Sequence, residues 1–512
     1  MYPEYKKVRQ SFKLAQILLA LGDEKVSKNW FDDALLINRD PGWYLASSWG
    51  MPDFGQPFTL NKVRDCFEIF TQYRITDVLL CIYENSSLIP SESVMWRGDK
   101  YLQTVENGEL VSYPQLEELY KMYKGSDEDP VQMFLDMMRE HGIRPWLSIR
   151  MNDAHDNTNK TSVLRDDFFY TAEKNGWMIG EEYGYWSHCL DYSKEPVRTR
   201  MLAYIQEVVN KYDMFGLELD FLREMFCFDY KNCPERHGIM NDFMRKVKKI
   251  VTQAEKKWVH PIHLMTRVYR SVEDTYEFGF DVELWAREGL VDAVVPSSRW
   301  ACTDSGIPVA QWKSVVGEKI AVFPGIETLH RDQPFVYTPT ECVKAYSAAW
   351  NVQGADGLYC YNYFNVISQR DREVYMLHRD NVLDGTRRFV VTFQDISSGI
   401  CDSYRPLPAQ VDGCFELSLD VGPVREEDCV RVIIEFAGKK SPQICGNGIL
   451  FSEGVRHTPI FGNHELMRNR KLPITAENTF IYECPAITVE GKFVVEVIGK
   501  GELTYLEVCI ER

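Results

Sequence analysis

Short apolar runs rich in β-branched and aromatic residues alternate with amphipathic stretches through the first three quarters of the chain, which is the grammar of parallel β/α units. Eight runs stand out: 43–49 (WYLASSW), 77–83 (DVLLCIY), 144–150 (RPWLSIR), 215–221 (FGLELDF), 262–268 (IHLMTRV), 291–296 (VDAVVP), 319–323 (KIAVF) and 357–361 (GLYCY). Helical periodicity separates them, for example over 61–73, 130–141 and 196–212. Eight strands with intervening helices predict a closed (β/α)8 TIM barrel. No glycine-rich dinucleotide turn favours the open, doubly wound alternative. After about residue 385 the pattern changes. Segments such as RRFVVTF, CFELSLDV, CVRVIIEF, KFVVEVI and LTYLEVCI alternate apolar and polar positions between Gly, Asp and Pro turns, which predicts a C-terminal β-sandwich over 385–512. The barrel is then expected over 43–384, with residues 1–42 as a helical extension packing on it.

A length of 512 residues accommodates both domains. The net charge of −17 speaks against a nucleic-acid partner, and no run of about 20 apolar residues predicts a membrane span. The short run from Leu14 to Leu21 lacks a small-residue cleavage site and precedes Gly22-Asp23-Glu24-Lys25, so it reads as an amphipathic helix. The 14 cysteines form no CxxC pair and no regular framework, which with the missing signal predicts free thiols in a reducing cytoplasm. A homodimer is left open.

In such a barrel the chemistry lies at the C-terminal ends of the strands. The third strand ends in Arg150-Met-Asn152-Asp153-Ala-His155, and the fourth reads Gly216-Leu-Glu218-Leu-Asp220-Phe-Leu-Arg223-Glu224. With a two-residue period, Glu218 and Asp220 share one face, and carboxylates inside a parallel strand are costly unless paired or used. Arg150 and Arg223 are their natural partners; the bland alternative is a set of structural ion pairs around the barrel mouth. Other strand ends add Asp53 after the first, Glu84 and Asn85 after the second, Arg267 within the fifth, Arg299 after the sixth and Glu327 after the seventh. After the eighth come Asn362 and Asn365, in an aromatic run with Tyr359, Tyr361 and Tyr363 that suits either sugar stacking or packing. Asp153, His155 and Asp156 match no metal-ligand spacing, so neither a metal nor another cofactor is expected.

The motifs SIRMNDAHD, GLELDFLRE and LDYSKEPVR resemble those of family-10-like glycosyl hydrolase barrel proteins. Within that set, the spacing of Arg150 and His155 and the arginine closing the fourth strand are similar to the exo-sialidases of glycoside hydrolase family 156. The resemblance implies a barrel followed by a β-sandwich, and an inverting release of a terminal sialic acid or related acidic sugar from a small glycoside or oligosaccharide. It implies that Arg150 and Arg223 grip the sugar carboxylate, that His155 and Asp53 form the catalytic pair, and that Asn362 or Asn365 belongs to the site. Which member of the pair donates the proton is open. Asn152, Asp153, Glu218, Asp220 and Arg267 are the remaining expected substrate contacts. Two other readings stand beside this one. The first is a conventional two-carboxylate glycosidase using Glu218 or Asp220 with Glu327. The second is a carbohydrate-binding barrel without catalysis.

Overall fold

A strand buried on both faces needs only a few apolar residues in a row, and ALLI is enough for the first stave of the barrel. The structure, a computed structural model, describes residues 29–39, 60–99, 114–125, 129–155, 165–299, 305–327, 329–330, 336–362, 369–391, 406–451, 455–456, 478–484 and 489–512. β1 (Ala34–Arg39) pairs in parallel with β2 (Asp77–Glu84), and the ladder continues through β3 (Arg144–Arg150), β4 (Gly216–Asp220), β5 (His263–Tyr269) and β6 (Ala293–Ser297). The seventh stave is split into β7 (Ala321–Val322) and β8 (Gly325–Glu327) at Phe323-Pro324, where proline has no N–H for the ladder. β9 (Gly357–Tyr361) pairs with β8 and with β1, which closes the cylinder. The (β/α)8 barrel is therefore present. Its first strand is not 43–49 but Ala34–Arg39, inside the segment expected to be helical, so the barrel begins before residue 43. Residues 43–49 lie outside the described residues.

The interior follows the two-residue period of the strands. Towards their N-termini it is filled by Leu36, Leu79, Trp146, Met265, Val295, Phe323 and Tyr359, with Phe31 beneath. Gly216 makes room for this plug, because a Cβ there would lie 2.2 Å from the Trp146 ring. Towards the C-termini the same faces turn polar, with Asn38, Ser148, Arg150, Glu218, Asp220, Arg267 and Glu327 all buried. Arg150 stands level with Asp220, and Asp220 with Arg267, across three adjacent staves.

Helices cover the outside. α1 (Pro130–Glu140) starts at Asp129, whose side chain accepts from the N–H groups of Val131 and Gln132, with Pro130 in the first turn. It buries Phe134, Leu135 and Met138. α2 (Glu195–Lys211) likewise buries Met201, Ile205 and Val208, each such side chain contributing about 1.5–3 kcal/mol of apolar burial.

Beyond the barrel, β10 (Arg387–Val391), β11 (Ala409–Asp420), β12 (Cys429–Gly438), β13 (Gln443–Gly446) and β14 (Thr479–Glu483) form an antiparallel domain around the long β15 (Lys492–Glu511). The first half of β15 pairs with β11 and β13, and the second half with β10 and β12, consistent with a sandwich whose layers share one bent strand. At the crossover Gly501 approaches β12 so closely that a Cβ would sit 2.4 Å from the Ala437 carbonyl oxygen. The domain packs on α3 (Thr340–Val352) of the barrel, where Tyr346 Oη donates to the Val390 carbonyl (3.2 Å) and Gln353 Nε2 to Asp420 (3.2 Å). Among the described residues no helix is long and apolar enough to cross a membrane, and every cysteine is a free thiol.

Candidate active site

Buried carboxylates at strand ends must find donors, and each finds them differently. Asp220 Oδ1 accepts from the backbone N–H groups of Leu222 (3.0 Å) and Arg223 (2.9 Å), which turns the chain sharply as β4 ends. The same carboxylate takes Arg267 Nε at 2.9 Å and Nη2 at 3.2 Å, and the Tyr361 ring lies on that guanidinium, 3.4 Å away at its centroid. Asp220 and Arg267, expected as substrate contacts, thus form a fully buried pair with each other. Glu218 sits one layer deeper. It accepts from Asn38 Nδ2 (3.0 Å) and Tyr359 Oη (2.6 Å), and burial together with the Asp220 charge pushes its pKa up to about 7. Tyr359 and Tyr361 are buried packing residues.

A second constellation gathers at the ends of β2, β3 and β4. Arg150 Nη1 donates to Glu84 Oε1 (2.8 Å) and to Asp153 Oδ2 (3.0 Å). Arg223 comes from the neighbouring stave, with its Nε 3.8 Å from the same Asp153 oxygen. His155 lies between them. Its backbone N–H (2.8 Å) and Nδ1 (2.5 Å) both reach Asp153 Oδ1, Nδ1 is 3.1 Å from Glu84, and Nε2 is 2.7 Å from Arg223 Nη2. His155 is the most open of the group at 35% side-chain exposure, against 2% for Arg150 and 5% for Arg223. The two arginines and the histidine expected at one place do converge there.

The electrostatics follow from these contacts. Burial alone would raise both acids, but the charges of His155 and Arg150 hold Asp153 at about 2, and Arg150 and Arg97 hold Glu84 well below the usual range. Burial disfavours the His155 cation, yet the Asp153 charge outweighs it and pushes the imidazole up to about 9, against the opposing Arg223 charge. The contact geometry sets a condition on that value. A guanidinium N–H can only donate, so Nε2 accepts at 2.7 Å only while it carries no proton, and the raised proton affinity of the ring is expressed only where this contact gives way.

Glu84, Asp153 and His155 bring three ligand-type atoms within 4.8 Å of one another. The Arg150 Nη1 bonds to both carboxylates and the Arg223 contact on Nε2 put two fixed cations against those atoms. The donor set therefore does not fit a divalent metal.

Asn152 serves the scaffold: its amide donates to the carbonyls of Leu190 (3.0 Å) and Phe226 (2.9 Å) and accepts from the Leu190 N–H (2.9 Å), clasping two loops. Asn362 ends β9 in a left-handed conformation (φ 55°), with its Oδ1 buried and lacking a hydrogen-bond partner. Asp53, Asn365, Asp156 and Tyr363 lie outside the described residues. In sequence Glu84 is marked only by its place after the second strand; in the structure it binds Arg150 and faces His155. Its neighbour Asn85, at φ 56°, donates to the Asp153 carbonyl (2.7 Å) and fixes the loop. Beside Arg223, buried Glu224 accepts from Trp186 Nε1 (2.7 Å) and from Arg299 Nη2 (2.6 Å) and Nε (3.1 Å). Strand-end position signals Glu224 and Arg299. Trp186, from the long excursion after β3, had no such signal. Two clefts of about 660 and 710 Å³ lie elsewhere, on the barrel flank between the 90–99 loop and α2.

No protein-family model matches the sequence, and no curated protein matches it. Among solved structures the chain is similar to the glycoside hydrolase domain of PgaB (BpsB) from Bordetella bronchiseptica, with a TM-score of 0.39 and 9% identity over 68% of this chain and 99% of that one. It is similar to a chitinase from Chromobacterium violaceum, with a TM-score of 0.34 and 9% identity over 67% and 97%. The galactosidase domain of the alpha-galactosidase-sucrose kinase AgaSK gives a TM-score of 0.36 and 12% identity over 91% of this chain but only 55% of its own length, about half of it. These neighbours are TIM-barrel glycoside hydrolases; at such scores the likeness carries no inference about the reaction, which rests on the residues at the barrel mouth.

Proposed function

We propose that the chain is a glycoside hydrolase that releases a terminal sugar bearing a carboxylate, a sialic acid or a related acidic sugar, with inversion at the anomeric carbon. One observation carries this reading: Arg150 and Arg223 rise from adjacent staves and meet at Asp153, with the accessible imidazole of His155 between them. Two guanidiniums at one point recognise a carboxylate through paired, charge-assisted hydrogen bonds. In a sialoside that carboxylate is on the reacting carbon itself, so gripping it positions the scissile bond beside His155 and discourages an anionic nucleophile. A water-mediated displacement follows. Nδ1 is committed to Asp153, which leaves Nε2 as the proton-transferring atom, with Asp153 stabilising the imidazolium as it forms. With His155 as the proton donor, Asp53, the other member of the pair that the resemblance implies, is left to activate the water. The two-carboxylate reading is favoured less, because Asp220 is bound by Arg267 and two backbone N–H groups and Glu218 lies buried beneath it.

The test is a panel of neutral and acidic arylglycosides with the first-formed anomer read by NMR. We expect turnover of the acidic members with inversion. Arg150→Ala, verified as folded by circular dichroism, should lower kcat/KM on them roughly 100-fold or more. Equal losses on acidic and neutral substrates would remove the carboxylate-binding role, and binding without turnover would favour a non-catalytic barrel.

A further inference from the structure

His155 has a partner on each ring nitrogen. Nδ1 faces Asp153 (2.5 Å) and Glu84 (3.1 Å), and Nε2 faces Arg223 Nη2 at 2.7 Å. The Nε2 contact is a hydrogen bond only for the neutral ring with its proton on Nδ1; the imidazolium would set two donors against each other. Yet donation of a proton to a leaving oxygen requires that proton on Nε2. Asp153 and Glu84 supply the negative charge that favours it. The two demands can be met only one after the other.

We propose that Arg223 is a substrate-operated latch: in the empty site it holds Nε2 as a proton acceptor, and an anionic group entering the barrel mouth draws the guanidinium away and lets the ring become the acid. This rests on the acidic-sugar reading and deepens it, because the charge on the sugar then serves the chemical step as well as binding. A neutral glycoside leaves Arg223 in place and His155 without a transferable proton, so discrimination falls on kcat rather than on KM alone. The balance is simple. Solvent protonates Nε2, and the imidazolium passes that proton to the glycosidic oxygen as its bond to the anomeric carbon breaks. The attacking water bonds to that carbon and gives up its proton to the base and so to solvent; one water is consumed, and the neutral ring receives Arg223 again. The groups facing the imidazole are Glu84 from the end of β2, Asp153 after β3 and Arg223 after β4. Arg150 bonds both acids, and the half-exposed Tyr185 phenol lies within electrostatic reach of Asp153 and Arg223.

The experiment is NMR of ¹⁵N-histidine-labelled full-length protein, with the His155 signals assigned by their loss in His155→Gln. At pH 7 the free wild type should show the neutral ring protonated on Nδ1. N-acetylneuraminate should raise the titration midpoint by roughly one pH unit or more, a tenfold change in proton affinity. Arg223→Gln should produce that rise without ligand. Arg150→Gln removes the same charge from beside the same acids but leaves Nε2 untouched, and should move the midpoint less. An imidazolium in the free wild type at pH 7, or equal shifts in the two variants, overturns the latch. Should Arg223→Gln not fold, the wild-type titration with and without N-acetylneuraminate decides alone. Turnover of acidic glycosides with no Arg223 effect sinks the latch and spares the proposed function. An Arg223 effect without such turnover does the reverse.

Discussion

Asp153 gathers more of the site than any other side chain: Arg150 on one oxygen, the ring and backbone N–H of His155 on the other. Its folded-state pKa of about 2 lies below the ordinary 3.8 of the unfolded chain, so the sign is fixed. The stabilisation is present above about pH 4 and is lost as the pH falls through 2. In magnitude it is ~2 kcal/mol at neutral pH, of which about 1 kcal/mol is gone by pH 3. Urea titrations at pH 5 and pH 3 should therefore show a steeper loss for the wild type than for Asp153→Asn. The same variant removes the counter-charge that raises the His155 pKa. In the substrate complex, where Arg223 has given way, the alkaline limb of the pH–kcat profile should therefore move to lower pH by roughly two units. An unchanged alkaline limb would show that the acid is some other group.

β1 is held on both edges, level with Gly357–Cys360 of β9 and with Asp77–Leu80 of β2. At the β9 seam a Cβ on Gly357 would lie 2.2 Å from the Ala34 carbonyl oxygen, a backbone atom that cannot swing aside. Gly357→Ala should cost about 2 kcal/mol or more by forcing this seam apart. Gly385→Ala, at φ 72° with open space around it, should cost nearer 1 kcal/mol for its left-handed backbone. Chemical denaturation would check the order. The seam also explains what was legible in the sequence. Seven staves announced themselves as apolar runs of five to eight residues between helical stretches, and the polar residues closing β3 and β4 marked the constellation around His155. The first stave is hard to read because ALLI is only four apolar residues before Asn38-Arg39, whereas the aromatic run at 43–49 has the stronger strand pattern. With strand one read as 43–49, Asp53 is the candidate in the loop that follows, and Asn38, the side chain that reaches Glu218, carries no signal. Partner choice was harder still: sequence placed Asp220 and Arg267 at the mouth, but only the register between β4 and β5 shows that they pair with each other.

The barrel and the sheet domain share one continuous apolar core, in which Val343 and Tyr346 of α3 belong to the same cluster as Phe389, Val390 and Leu506. At this junction Arg388 forks onto Glu507, Nε to Oε1 at 2.5 Å and Nη2 to Oε2 at 3.0 Å, with Tyr505 donating to the same carboxylate. Both charges act on the buried Cys342 thiol of α3, which places the pair against the barrel. Glu507 is fully buried, so Arg388→Met would leave its carboxylate without a counter-charge, at a cost of about 3–5 kcal/mol. Replacing both partners by apolar residues, Arg388→Met with Glu507→Leu, should recover most of that loss, because the penalty belongs to the orphaned charge rather than to the missing bond. Since the core is continuous, the loss should not stay in the sheet domain. Calorimetry should show one unfolding transition in the wild type, moved to lower temperature as a unit in Arg388→Met and largely restored in the double variant. A separate early transition in Arg388→Met, with the barrel melting at its original temperature, would mean that the two units unfold independently despite their shared core.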